Sequence, residues 1–183
     1  MQFDPALMGA RIASGGDRRV YRYGNDQVVK ISSLYFLTGD KLSKKLTRDY
    51  MTCRFYLSEF VVETHDVTGG DGKHTEIQPF IKGEALTRKD CKHPFVKQQL
   101  QRIADIAARM EGDGHPLIDL IGHHGMLGNQ LSNILVDSEH RLHIVDTTLL
   151  EGKSLGPVGI ILDMIAPLIR WKQNYLLRKF LSP

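Results

Sequence analysis

The strongest chemical signal in this 183-residue chain is a pair of oxygen donors, Asn133 and Asp146. They stand at the ends of what reads as a short hairpin, Leu131-Ser132-Asn133-Ile134-Leu135-Val136-Asp137 and His143-Ile144-Val145-Asp146-Thr147. A hairpin brings its ends side by side. An amide oxygen beside a carboxylate suits Mg²⁺ or Mn²⁺, hard ions that take oxygen ligands and keep water or phosphate in their remaining positions. The same residue types also serve as turn caps. A second signal lies near the start, where Gly15 and Gly16 in Ser14-Gly15-Gly16-Asp17 offer backbone N–H groups that an anion can approach, because no Cβ intervenes. Lys30 follows in Val28-Val29-Lys30-Ile31, an apolar strand pattern in which its ammonium either reaches water or meets an anion. A glycine turn, a strand and a V-x-K strand in that order are what a phosphate-covering loop with a phosphate-pairing lysine requires.

The elements that would position these residues can be read from pattern. Residues 10–31 alternate as a three-stranded meander with a turn at Gly24-Asn25-Asp26. Residues 41–59 lack Gly and Pro, and Leu42, Leu46, Met51, Phe55 and Leu57 predict a helix, followed by a strand at Val61-Val62. A turn at 68–73 leads into a hairpin strand over 76–81 that ends at Lys82-Gly83. From Phe95 to Glu111, Leu100, Ile103, Ile106, Ala107 and Met110 keep helical spacing. Strands follow at 134–137 and 142–146. Residues 158–181 predict a helix broken near Pro167, with Trp171, Tyr175 and Phe180 among Arg170, Lys172, Arg178 and Lys179. A β-rich first half and a helical second half predict an α+β fold.

Composition narrows the function classes. A hydrophobic content of 42% supports one packed domain. The net charge of +3 is too small to argue for nucleic-acid binding. Cys53 and Cys91 form no disulfide framework, the N-terminus lacks a signal-peptide pattern, and the apolar run 158–169 is interrupted by Gly159, Asp163 and Pro167. The expectation is a cytoplasmic protein without a membrane span.

Taken together, Gly15-Gly16, Lys30, Asn133 and Asp146 resemble the protein-kinase-like superfamily, in the compact bacterial form of aminoglycoside phosphotransferases and lipopolysaccharide-core kinases. Asn133 precedes Asp146 by thirteen positions within N-I-L-V-D…h-h-h-D, as in that family. The resemblance covers roughly residues 10–150. It implies a two-lobed fold with a minimal C-terminal lobe, one domain over 1–183, an N-lobe of about 1–82 and a C-lobe of about 83–183. It implies ATP with Mg²⁺ or Mn²⁺, and Lys30 on the α/β-phosphates. Asp49, or failing it Glu59, would orient Lys30, and Gln78, Phe80 and Ile81 would lie in a hinge that receives adenine. More narrowly, Gly15-x-x-Arg18-x-Val20-Tyr21, Asn133-Ile134-Leu135 and the basic, Trp-containing end are similar to the YrbL-like family of the bacterial PhoP regulatory network.

The catalytic loop departs from that pattern. The position five before Asn133, where such kinases carry an aspartate, is Gly128, and a loop one residue shorter would put Asn129 there, which cannot accept a proton. His123 or His124 could act as a base, and Asp119 is too far upstream to place from sequence. Two functions therefore stay open: an atypical ATP-dependent phosphotransferase acting on a small molecule, lipopolysaccharide or protein hydroxyl, or an inactive pseudokinase serving as a regulatory or protein-binding module. The 37 residues after Asp146 leave little room for a peptide-docking platform. The basic C-terminal helix could touch an anionic surface.

Overall fold

The computed structural model describes residues 2–14, 18–32, 40–68, 73–152 and 155–182. Gly15 and Gly16 lie outside the described residues. The expected meander is present as β1 (Met8–Ser14), β2 (Arg18–Tyr23) and β3 (Gln27–Ser32). Strands β2 and β3 pair without interruption from Arg18↔Ser32 to Tyr23↔Gln27. Gly24, at φ 58°, takes the left-handed conformation that lets the three-residue turn close. Two further strands, β4 (His65–Asp66) and β5 (Thr75–Pro79), complete an antiparallel sheet of order β1-β2-β3-β5-β4. The period of two sorts its faces. Tyr23, Val29 and Ile77 enter a small core with Val67, while Val20, Val28, Lys30 and Gln78 line a cavity beneath the sheet.

Helix α1 (Asp40–Tyr56) forms where a helix is predicted, but buries a different face. Met51 and Phe55 are exposed. The inward residues are Leu42, Lys45, Leu46, Asp49 and Cys53. Lys45 and Asp49, one turn apart, form a buried ion pair, so a hydrophobicity pattern alone misreads which side faces in. Val61-Val62 is likewise no sheet strand. Val61 makes an isolated parallel bridge to Ile144, and Ile144 N–H donates to Phe60 O at 2.7 Å, which ties the segment after α1 to the lower lobe.

After residue 82, β6 (Gly83–Thr87), β7 (Gln130–Asp137) and β8 (Leu142–Ile144) form a second antiparallel sheet. Helix α2 (Pro94–Gly112) buries Val96, Leu100, Ile103, Ala107 and Met110 against Leu131, Ile134, Leu142 and Ile144 of that sheet. Each large aliphatic side chain so buried contributes about 2 kcal/mol. A short helix, α3 (Gly122–Leu127), precedes β7. The last helix, α4 (Pro157–Leu181), runs unbroken through Pro167, against the predicted break. Pro167 and Asp163, the residue whose carbonyl the proline leaves without its helical donor, are both exposed, so water can serve that oxygen. The helix is gripped on either side, by Leu162 and Ala166 before the proline and by Ile169, Leu176 and Phe180 after it. Among the described residues, no helix is long and apolar enough to cross a membrane.

Candidate functional site

The β7–β8 register, Ile134↔Ile144 at its end, continues one step further, where Val145 N–H donates to Asn133 O at 3.0 Å. Asn133 and Asp146 therefore leave the hairpin at the same end, facing one cavity. The Asn133 side chain is fixed by donating from Nδ2 to Asp119 O at 2.8 Å. Its Oδ1 occupies space that only a glycine at 122 leaves open. Gly122 has φ 59°, and a Cβ there would fall 2.5 Å from Asn133 Oδ1. Asp146 Oδ1 accepts from Thr148 N–H at 3.1 Å and Thr148 Oγ1 at 2.8 Å, with Arg18 Nη1 at 3.5 Å. Burial pushes the Asp146 carboxyl up, but the charges of Arg18 and Lys30 and the Thr148 hydroxyl outweigh it and hold the group below the usual carboxylate range.

Lys30 points into the same cavity, and its ammonium donates to Val145 O, next to Asp146. The acid opposite it is Glu76 on β5, its direct cross-strand partner. Glu76 binds Arg18 Nη1 at 3.1 Å and lies 3.0 Å from His74 Nε2. Burial opposes the Glu76 charge, yet Arg18, His74 and Lys30 draw its pKa down to about 2. The expected Asp49 to Lys30 pairing is not what the structure places here. Asp49 takes Lys45 on its own helix, accepts Leu149 N–H at 3.0 Å and lies 3.4 Å from Arg48. Burial raises its pKa, only partly offset by Lys45. Glu59 is no substitute, since it pairs with Arg102 on the surface.

Asn129, the sequence candidate for the base position, is exposed and does not line the cavity. Helix α3 loops the chain away between Ile121 and Gly128, so the residue set against Asn133 is Asp119, fourteen positions earlier. Its backbone N–H donates to Thr148 O at 3.0 Å while its carbonyl takes the Asn133 amide, which holds it between the two halves of the Asn133/Asp146 pair. Asp119 Oδ1 accepts from Ile121 N–H at 3.0 Å and Gly122 N–H at 2.9 Å. The trace of this in the sequence is Asp119-x-x-Gly122, a turn-and-cap spacing. His124 also lines the cavity and is exposed. Arg18, which sequence reasoning did not single out for chemistry, joins Glu76, Asp146 and Thr148 in one cluster, with Arg18 and Glu76 buried and Asp146 and Thr148 half-buried.

The cavity measures about 740 Å³, within the range of small-molecule sites. Its roof is Ile12, Val20 and Val28, its floor Leu135 and Val145, and its rear edge Gln78, Pro79, Phe80 and Ile81. Phe80 uses its backbone N–H on Asp26 O at 2.7 Å, and Arg22 sits 3.4 Å over its ring. Among the described residues, no group of three His, Cys, Asp or Glu gathers closely enough to hold a metal by itself. Asn133 and Asp146 nevertheless supply the all-oxygen donor type that Mg²⁺ takes when phosphate and water complete its shell.

No family model matches the chain, and no curated protein matches it. Solved structures do. The crystal structure of Rad53 1-466 in complex with AMP-PNP superposes with a TM-score of 0.55 at 15% identity, covering 94% of this chain and 47% of that one. The fold is protein-kinase-like. A second solved structure, a cysteine-to-alanine mutant of the Mycobacterium tuberculosis PknI kinase domain, aligns at a TM-score of 0.47 and 15% identity over 76% of this chain and 56% of that one. The chain thus spans about half the length of the solved kinases it matches. In this kinase-like fold, the cavity under the β1–β5 sheet is lined both by Gln78, Pro79, Phe80 and Ile81 and by the Asn133/Asp146 pair.

Proposed function

We propose that the chain binds ATP with Mg²⁺ in this cavity and transfers the γ-phosphoryl group to a hydroxyl acceptor. The observation that carries the reading is the convergence of Lys30, Asn133, Asp146 and Asp119 on one wall of a nucleotide-sized cavity. The Rad53 structure, which holds AMP-PNP, supports a nucleotide in a fold of this kind. Adenine would lie between the aliphatic roof and Leu135. The backbone of Pro79 and Ile81 would read its edge, because the Phe80 N–H is already used. Lys30 would release Val145 O and pair with phosphate. Asn133 and Asp146 would hold Mg²⁺, which supplies charge neutralisation across the phosphates when bound. The sequence resemblance to compact bacterial kinases, and more narrowly to the YrbL-like family, favours a single kinase-like domain acting in the cytoplasm.

Asp119 supplies the carboxylate that the chain lacks at Gly128. It is anchored by main-chain bonds on both sides, so it can orient an acceptor hydroxyl and take its proton as the oxygen attacks. The test is turnover of γ-labelled ATP by wild type and Asp119→Asn. The variant should lose about 100-fold in rate with ATP affinity within about twofold, because Asn keeps the shape but cannot accept the proton. Equal turnover in both proteins removes Asp119 from the mechanism. Metal-dependent ATP binding without turnover in wild type assigns the chain to the pseudokinase class.

A further inference from the structure

The cavity does not end at its polar wall. Beyond Asp146 it continues into an apolar end formed by Leu42 and Leu46 of α1, by Leu155, and by Ile161, Leu162 and Ile165 of α4. Leu42, Leu46 and Leu155 are buried as a cluster with Leu162 packed on it. Ile161 and Ile165, one helical turn apart, line the same space yet remain 62% and 43% exposed. The aliphatic wall therefore runs from the interior to the surface, where Met164 and Leu168 extend it along α4. Lys45, the charged residue at this end, is committed to Asp49 and to Leu149 O. Among the described residues, this end thus presents aliphatic carbon, a lining suited to apolar surface and unsuited to a sugar or a charged peptide.

We infer that the acceptor is an amphiphile: a hydroxyl at the Asp119/Asp146 wall and an aliphatic chain between α1 and α4. This rests on the phosphotransferase reading and narrows its acceptor class. In the transfer, the acceptor oxygen bonds to the γ-phosphorus while the bond from that phosphorus to the β,γ-bridging oxygen breaks. ADP leaves with the electron pair, and the acceptor proton passes to the Asp119 carboxylate.

The test is binding of dansyl-labelled undecanol to the full chain, followed by fluorescence, and its displacement by octanol, decanol and dodecanol, with and without saturating Mg·AMP-PNP. Affinity should climb about three- to fourfold per added methylene, and nucleotide and alcohol should occupy the protein together. The double variant Ile161→Glu/Ile165→Glu should lose at least about tenfold in alcohol affinity. Its melting temperature and its response to Mg·AMP-PNP should stay as in wild type, because both side chains are already partly in water. Phe55→Glu, at a more exposed apolar position on α1 outside the cavity, should bind the alcohols as wild type does. Absent binding, no dependence on chain length, or equal loss in Phe55→Glu overturns the inference while leaving the nucleotide reading standing. Mutual exclusion of alcohol and nucleotide also overturns it, since the chain would then sit in the adenine slot. A wild type that binds the alcohols but gives no response to Mg·AMP-PNP overturns it through the nucleotide reading on which it rests.

Discussion

Lys30 and Glu76 stand directly across from one another on β3 and β5; the lysine ammonium donates to Val145 O, and the glutamate binds Arg18 and His74. The lysine thus stays directed at the Asp146 end of the cavity while Glu76 holds the guanidinium that faces Asp146. The carboxylate across from Lys30 comes from a neighbouring strand and not from the helix that follows it.

Glu76 makes stability acid-sensitive. Its folded pKa of about 2 lies below the ordinary 4.5, so its contribution is fully present above pH 4.5 and is lost as pH falls towards 2. Glu76→Gln should lower stability at pH 7 by about 3 kcal/mol, because Arg18 loses a buried partner, and should flatten the acid limb of a plot of melting temperature against pH. An acid limb as steep in the variant as in wild type contradicts this assignment.

Gly122→Ala tests how Asn133 is held. The new methyl group would fall on Asn133 Oδ1 and force a left-handed backbone on alanine. A stability loss of about 1–2 kcal/mol is expected, together with metal-dependent ATP affinity weaker by about tenfold. Calorimetry with and without Mg²⁺ separates the two effects. Unchanged metal-dependent affinity would show that Asn133 keeps its position without the glycine.

Lys45→Met should cost about 3–5 kcal/mol in a denaturant titration, because it strands the Asp49 carboxylate in the core. The double variant Lys45→Met/Asp49→Leu should recover most of that loss and keep ATP affinity within about twofold of wild type. A marked loss of ATP affinity in the double variant would mean that Asp49 does act on Lys30.

What could be read from the chain was what is local. Asn133 and Asp146 were legible because a hairpin this short fixes its own ends, and Lys30 because strand alternation assigns its face. The meander and α2 followed from period two and a clean apolar stripe. Asp119 was not legible, since α3 intervenes between it and Asn133 in the chain, and its backbone bonds to Thr148 and to the Asn133 amide are what bring it in. Glu76 depends on a register set by the whole sheet. Asp49 misled because a count along the chain put it near Lys30, while its own helix offered a nearer cation at Lys45. Pro167 misled because the proline rule allows for neither an exposed flank nor a helix anchored on both sides.

The most direct test of the account is a thermal-shift titration with ATP, with Mg²⁺ or with EDTA, on wild type and Asp146→Ala. At ATP a hundredfold above Kd, the wild type with Mg²⁺ should gain about 5–10 °C. EDTA and Asp146→Ala should each remove most of that gain. No shift in wild type, or a shift of equal size with EDTA and in Asp146→Ala, would contradict a metal-assisted nucleotide site at Asn133 and Asp146.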